Sequence, residues 1–441
     1  LCVSNCIPIT CPVNPFLPNF ITNTAYSVPK PCNPAPNTMN IAFICGSLEP
    51  GKDGVGDYLR RLSLELLQQG HRVSLIAIHD PYVVVDSLEP QDMQDLTFSV
   101  IRLPRVGMHS LELFLLRTWL VKFNPDLISL HFVPFSFHAK GLSLRLAEKM
   151  HYIGGGRPWH IMFHELWLGM EMQAPLKYII WGNLQRWLIK QLLRKLKPQL
   201  VSTHTPLYQW HLKNMGYKAT LFPLFSNIPV ASHDPVETIS HQQCISDHRN
   251  DSSGVVNPIQ ADFHKNKSDH HADKATQTLD FVVFGTIGRD APFTAFTSEA
   301  RDYAEKYQLM ITLTFIGRCG QEMGNWVSIW SAAGMEFKVL GEQPEKTVSA
   351  TLRKASFGLC TTPFVLVEKS GSVAAMRAHA LPVICITKPW TPIGMPELSL
   401  PEDILQYQPG HFRECIEHQV AAAPVYQVAD AAAQFLKHTL L

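Results

Sequence analysis

Apolar positions cluster in short runs at 40–45, 72–78, 127–132, 160–164 and 200–204, each of strand length. Between them the apolar residues recur at helical spacing. Leucines 59, 62 and 66 share one face of a helix predicted over 57–69, with Gly70 placed to cap its end. Further helices are predicted over 110–123 and 176–196. Strand, helix and strand at these lengths form right-handed crossover units of a parallel sheet. After a break at 232–280 the alternation returns, with strands over 281–285, 310–317, 337–340, 357–361 and 381–386 and helices over 298–307, 345–354 and 372–379. The fold class expected is α/β, two doubly wound Rossmann-like domains facing each other across a cleft. The domains are placed at 39–229 and 281–420, with an insert or linker at 230–280 and a C-terminal helix at 421–441. Open α/β sheets bind ligands outside their carboxyl edges, so the cleft is the expected site.

Two stretches lie outside this pattern. Residues 1–38 carry Cys2, Cys6, Cys11 and Cys32 with eight prolines and no regular apolar period, which suits a disordered extension. With Met39 directly before the first strand, the working protein is expected to start near that residue. A zinc knuckle is the alternative for the four cysteines, but they include no Cys-x-x-Cys pair. The stretch 232–280 is rich in Asp, Asn, Ser and Lys and holds six histidines without ligand spacing, and it reads as a solvated loop.

Composition narrows the function classes. Lys+Arg 38 against Asp+Glu 37 leave a net charge of +1, which offers no field to gather nucleic acid. No apolar run reaches the roughly 18 residues of a membrane span, so a soluble protein is expected. The six cysteines beyond Cys32 are scattered singly, as reduced structural thiols are.

Three constellations can carry chemistry. The loop 46–57 between the first strand and helix is glycine-rich, and Gly54 and Gly56 let a backbone approach a ligand closely while the helix start offers N–H groups to an anion. A nicotinamide-dinucleotide site is a rival reading, with Asp80 on the ribose, but Leu59 occupies the third glycine position. His164 and Glu165 close a strand at the cleft edge, where they can meet sugar hydroxyls, and His131 ends the preceding strand in the same way. The run Glu368-Lys369-Ser370-Gly371-Ser372 opens a small-residue helix whose N–H groups and dipole suit a diphosphate, with Lys369 as an adjacent cation. Ordinary capping by Ser370 explains the same sequence without a ligand.

These pieces together resemble the B-type-fold (GT-B) glycosyltransferases, specifically the family-four retaining enzymes. Met39-Asn40-Ile41-Ala42-Phe43, Gly54-Val55-Gly56-Asp57 and Gly70-His71-Arg72-Val73 look like their first strand, glycine loop and helix end. The run 222–229 looks like the close of their first domain, and 281–289, 340–341, 352–363 and 368–384 look like their donor domain. The resemblance implies transfer of a sugar from a nucleotide sugar to an acceptor hydroxyl with retention, as in polysaccharide or glycoconjugate biosynthesis. No cofactor and no metal are implied, because helix N-termini and basic side chains neutralise the leaving diphosphate.

By position, the resemblance makes His164 and Glu368 catalytic. Gly54, Gly56, Arg289, Lys369, Ser370, Gly371 and Ser372 become donor-binding, and Glu165 lies on the acceptor side. Two features depart from the family: Ala375 stands where a second glutamate commonly holds the nucleotide ribose, and no lysine follows Arg289 within a dozen residues. A catalytically silent nucleotide-sugar-binding or scaffold protein of the same fold is therefore the alternative.

The helix over 176–196 carries Lys177, Arg186, Lys190, Arg194 and Lys195 with Trp181 and Trp187 and no acids. Such a helix either packs with a solvated basic face or lies on an anionic membrane. The packing helix is the preferred reading, so the expected partners are a nucleotide-sugar donor and a sugar, lipid-linked or other hydroxyl acceptor, with weak peripheral membrane contact as the alternative role of this helix. The expected location is cytoplasmic, with a position peripheral to the inner face of a membrane as the alternative.

Overall fold

A computed structural model describes residues 38–93, 96–105, 109–230, 278–395, 401–418 and 425–439. The cysteine- and proline-rich stretch 1–37 and the histidine-rich stretch 231–277 lie outside the described residues.

The first sheet is built from β1 (Asn40–Cys45), β2 (Arg72–Asp80), β3 (Ser87–Met93), β4 (Leu96–Pro104), β5 (Leu127–Phe132), β6 (Trp159–Phe163), β7 (Leu200–Thr203) and β8 (Thr220–Leu221). Its order is β3-β4-β2-β1-β5-β6-β7-β8, parallel throughout except for β3, which pairs antiparallel with β4. The central strands are continuous apolar runs because helices cover both faces. Helices α1 (Gly54–Gln68), α2 (Ser110–Phe123), α3 (Pro134–Phe137), α4 (Leu146–Gly154), α5 (Leu176–Leu196) and α6 (Pro206–Asn214) fill the crossovers. Side chains of α2, α4 and α5 share one core with Ile44 and Ile128, while Tyr58, Leu59 and Leu62 of α1 pack on the opposite face around Phe43.

The second sheet comprises β9 (Thr278–Phe284), β10 (Met310–Ile316), β11 (Glu336–Gly341), β12 (Phe357–Cys360), β13 (Val383–Cys385) and β14 (Ile404–Gln406). Its order is β11-β10-β9-β12-β13-β14, all parallel. It is covered by α7 (Phe293–Tyr307), α8 (Glu322–Ala332), α9 (Glu345–Lys354), α10 (Gly371–Ala378) and α11 (Phe412–Glu417), with a 3₁₀ turn over Phe364–Lys369 leading into α10. Aromatic rings dominate one core: Phe293 and Trp326 stack at 3.7 Å between centroids, beside the fully buried Phe281, Phe296 and Trp330. The last helix, α12 (Val428–Thr439), returns to the first sheet, where Phe435 meets Phe43 and His160 at 5.7 and 5.3 Å. Full burial of one such phenylalanine supplies about 1.5–3 kcal/mol toward that return.

Both sheets reverse their strand order at an inner strand. In the first, β1 sends one crossover to β2 while β5 lies on its other side; in the second, β9 lies between β10 and β12. A crevice forms at such a switch point because the loops on either side leave in opposite directions. The loops after β1 and β9 are therefore the switch-point loops of the two sheets.

Candidate site at the facing sheet edges

On the second sheet the edge is made chiefly of backbone. Gly285 ends β9 with a φ of 86°, and a Cβ there would sit 2.6 Å from Ser372 Oγ, so only glycine lets this loop lie against the start of α10. Gly288 donates its N–H to Thr361 Oγ1 at 2.6 Å, which pins the loop to the end of β12. Ser370 caps α10 by accepting from Val373 N at 3.4 Å. Gly371 at the first helical position is exposed, so this helix start is open to an anion. Beside it, Glu368 is half-buried, and that burial raises its carboxyl above the usual range against the pull of Arg377. Arg377 itself grips Asp403 with two bonds of 2.6 Å.

The first sheet's edge is filled by side chains. Asp80 at the end of β2 is fully buried and accepts from Ser47 Oγ, Leu48 N, Tyr82 N and Arg102 Nε. Burial alone would raise its carboxyl, but Arg102 and these donors outweigh it and hold the group below the usual range. With its oxygens spent in this way, Asp80 does not suit the ribose contact of a nicotinamide dinucleotide. The glycine loop is likewise braced internally, Asp53 accepting from Gly56 N and Asp57 from Gly51 N. A Cβ on Gly56 would lie 2.7 Å from the Ser47 carbonyl oxygen, so this glycine serves the close packing of α1 on the loop.

Four histidines form a continuous buried chain beneath that edge. His204 Nδ1 meets the Phe222 carbonyl at 2.7 Å, and His204 Nε2 meets His164 Nδ1 at 3.0 Å. His164 Nε2 meets His131 Nδ1 at 2.9 Å, and Ser129 Oγ links His131 Nε2 to His160 Nδ1 at 3.1 and 2.8 Å. His160 Nε2 ends the chain on Ser202 Oγ at 3.1 Å. The Phe222 carbonyl can only accept, so in the neutral rings every link is fixed in turn: each Nδ1 carries the proton, and Ser129 and Ser202 donate to Nε2 atoms. Burial is the main cause of pushing His160 down to about 3 and His204 to about 4, and it also lowers His131 and His164 well below the ordinary range. The rings are held neutral, and Tyr58 roofs His164 edge-on at 5.4 Å.

The two edges meet through charged pairs. Lys369 Nζ lies 2.8 Å from Glu165 Oε1 and 5.7 Å from the Tyr208 ring centroid. Burial alone would depress this ammonium, but Tyr208 and Glu165 hold it above its ordinary range. Lys52 pairs with Glu342 at 3.1 Å, Arg61 with Glu345 at 3.0 Å, and Arg318 donates to the Gly51 carbonyl.

The structure thus brings Glu165 and Lys369 into contact and sets Ser370, Gly371 and Ser372 at an open helix start. Gly54 and Gly56 form the first turn of α1. His164 has both ring nitrogens engaged within the protein. Arg289 is 78% exposed and 3.9 Å from Glu322. Sequence reasoning missed His204, His160 and Tyr208. The alternating pattern Ser129-x-His131 and Ser202-x-His204, placing polar residues on one face of two strands predicted to be buried, was the available signal. Ala375, at the position of the family's second glutamate, is fully buried among Val282, Met376 and Val383.

No family model matches the chain, and no curated protein matches it by sequence. Solved structures do. The chain is similar to the catalytic domain of starch synthase IV from Arabidopsis thaliana bound to ADP and acarbose, at 10% identity over 92% of this chain and 99% of that one, with a TM-score of 0.51. It is similar to a UDP-forming α,α-trehalose-phosphate synthase from Burkholderia xenovorans in complex with glucose-6-phosphate, at 9% identity, 91% and 100% coverage and a TM-score of 0.50. A putative UDP-N-acetylglucosamine 2-epimerase from Listeria monocytogenes matches at 11% identity, 91% and 95% coverage and a TM-score of 0.50. At these identities the likeness establishes the fold: two facing Rossmann-like domains of the GT-B architecture. Transferases and an epimerase share it, so the chemistry must be argued from the site.

Proposed function

We propose that the chain is a glycosyltransferase that moves a sugar from a nucleotide-sugar donor to an acceptor hydroxyl with retention and without a metal. The observation that carries this reading is Lys369: a cation held against Glu165 of the first sheet's edge and two residues before the open start of α10. The names of the three structural neighbours, with ADP, UDP-forming and UDP-N-acetylglucosamine, support a nucleotide as the ligand of this cleft.

The donor diphosphate would take the N–H groups of Gly371 and Ser372, with Lys369 and the exposed Arg289 neutralising the charge that builds up on departure. Glu368, next to them, would hold sugar hydroxyls. Glu165 would face the acceptor, exchanging its bond to Lys369 for one to the incoming hydroxyl as phosphate takes over the ammonium. With its ring nitrogens committed, His164 would position the strand end that carries Glu165. Charged pairs around the rim would keep the domains closed and water out, favouring transfer over hydrolysis.

Calorimetric titration with UDP, ADP and GDP, with and without EDTA, tests the reading. One nucleoside diphosphate is expected to bind regardless of EDTA, and Lys369→Ala to weaken it about 10- to 100-fold, the worth of a charge-assisted bond. Unchanged affinity in that variant would remove the phosphate role of Lys369. A catalytically silent binding protein is the second reading, favoured by the buried Ala375; binding of the nucleotide sugar without release of diphosphate for any acceptor would decide for it.

A further inference from the structure

Helix α5 presents an apolar stripe to solvent. Leu176, Ile180, Leu184 and Trp187 recur at four-, four- and three-residue steps on one face and are 71%, 62%, 38% and 51% exposed. The opposite face is the one that packs: Gly182, Gln185, Ile189, Leu192, Leu193 and Leu196 are buried against the first domain. The stripe is therefore a second apolar face on a helix that has already buried its first. Leu144, also exposed, shares with Trp187 the lining of a cleft of about 270 Å³ between α4 and α5, whose one acid is Glu148 on the α4 side.

Charge identifies the occupant. From 172 to 197 the chain has six cations, Lys177, Arg186, Lys190, Arg194, Lys195 and Lys197, and no acid. Lys177 and Lys195 flank the stripe on one side, Arg186 and Lys190 on the other. A second copy docking on this face would bring like charges together. An aqueous surface has no use for four large apolar side chains among cations. An anionic bilayer accepts both, the apolar residues entering the headgroup boundary by about 5–10 Å and the cations meeting phosphates.

We propose that the α5 face docks the protein on an anionic lipid bilayer. The segment 164–175 leads from the cleft edge at His164 and Glu165 directly into α5, and Gln185 Oε1 of the helix accepts from Leu168 N at 3.0 Å. The docked face and the acceptor-side edge are thus parts of one braced unit, which would place a lipid-borne acceptor near Glu165. That use rests on the transferase reading; the docking itself does not.

Sedimentation of the full chain with vesicles, without nucleotide, tests it. Vesicles of one-third phosphatidylglycerol in phosphatidylcholine are expected to capture the protein at least tenfold better than phosphatidylcholine alone, with weakening as salt screens the cations. Lys177→Glu combined with Arg194→Glu is expected to lose at least the roughly fivefold per cation set by the surface potential. Ile180→Asp with Trp187→Asp is expected to abolish capture while the thermal melt is unchanged, since both side chains are exposed. Equal capture by neutral and anionic vesicles, or capture unaffected by either pair, would overturn the proposal. So would a dimer in ultracentrifugation that Ile180→Asp with Trp187→Asp abolishes, because the face would then belong to a second copy. Donor binding measured by calorimetry fails or succeeds independently of these outcomes.

Discussion

The two sheet edges that face each other solve the same packing problem in opposite ways. The first closes its crevice with side chains whose hydrogen bonds are satisfied internally: Asp80 with four donors, and a histidine chain running from Ser202 to the Phe222 carbonyl. The second lines its crevice with backbone, from Gly285 to Gly288 and from Ser370 to Ser372, and leaves N–H groups at a helix start exposed. Buried polar groups cost free energy unless paired, so a network that is complete within the protein has no capacity left for a ligand. The first edge has its polar groups paired within the protein, and the second keeps exposed N–H groups with capacity for an anion. Lys369 joins them, since it belongs to the second edge and is held by Glu165 of the first.

Acid should break the first edge most severely. In the unfolded chain a histidine takes up a proton near 6.5, while in the fold His204 resists until about 4 and His160 until about 3. Above about 6.5 both states are neutral and the chain's contribution is complete. As pH falls below that, the unfolded state binds protons that the fold refuses, and stability declines by about 1.4 kcal/mol per pH unit for each such histidine. His131 and His164 are shifted in the same direction, so the loss begins below about 6.5 and runs on to about 4 for His204 and about 3 for His160. Urea midpoints measured across that range should fall steeply toward acid. A flat profile would mean that the rings are charged or exposed.

His204→Ala removes one link at neutral pH. It leaves the Phe222 carbonyl without its donor and His164 Nδ1–H without its acceptor. At about 1–3 kcal/mol for each orphaned group, the expected loss is about 2–6 kcal/mol. Adding His131→Ala should cost less than the sum of the two, because both act on His164. Strict additivity in denaturant melts would show that the four rings do not work as one network.

The fold was largely legible in the chain because its strands are buried on both faces and so read as unbroken apolar runs, and because Gly70 and the glycine loop punctuate them clearly. The hairpin of β3 with β4 was not legible: Pro90 and the polar residues of 87–93 disguise an edge strand, where proline is tolerated because no further ladder needs its N–H. Helix α4 is short, and α6 starts on Thr205-Pro206, a capped helix start that was not read as one. At the candidate site, motifs singled out Lys369 and the start of α10, and Glu165 was singled out by its place at a strand end. The pairing of Glu165 with Lys369 across 204 positions was invisible, as were the partners of His164, because a chain of histidines from three different strands is created only when the parallel register aligns them.

The smallest effect gives the sharpest discrimination between the edges. Ser370→Ala removes the cap of α10, and because its bond to Val373 N is long at 3.4 Å the cost should lie near 0.5–1 kcal/mol, about the low end for such caps. Ser370→Asp keeps an acceptor and adds a negative charge at the positive end of the helix dipole, so stability should return or rise by a few tenths of a kcal/mol, roughly the worth of one dipole contact. The same charge occupies the position where a diphosphate would bind. If this helix start is the anion site, Ser370→Asp will be at least as stable as the wild type in a thermal melt, yet bind nucleoside diphosphate at least tenfold more weakly in calorimetry. A stable variant with unchanged affinity would leave Ser370 as a structural cap and move the ligand elsewhere in the cleft.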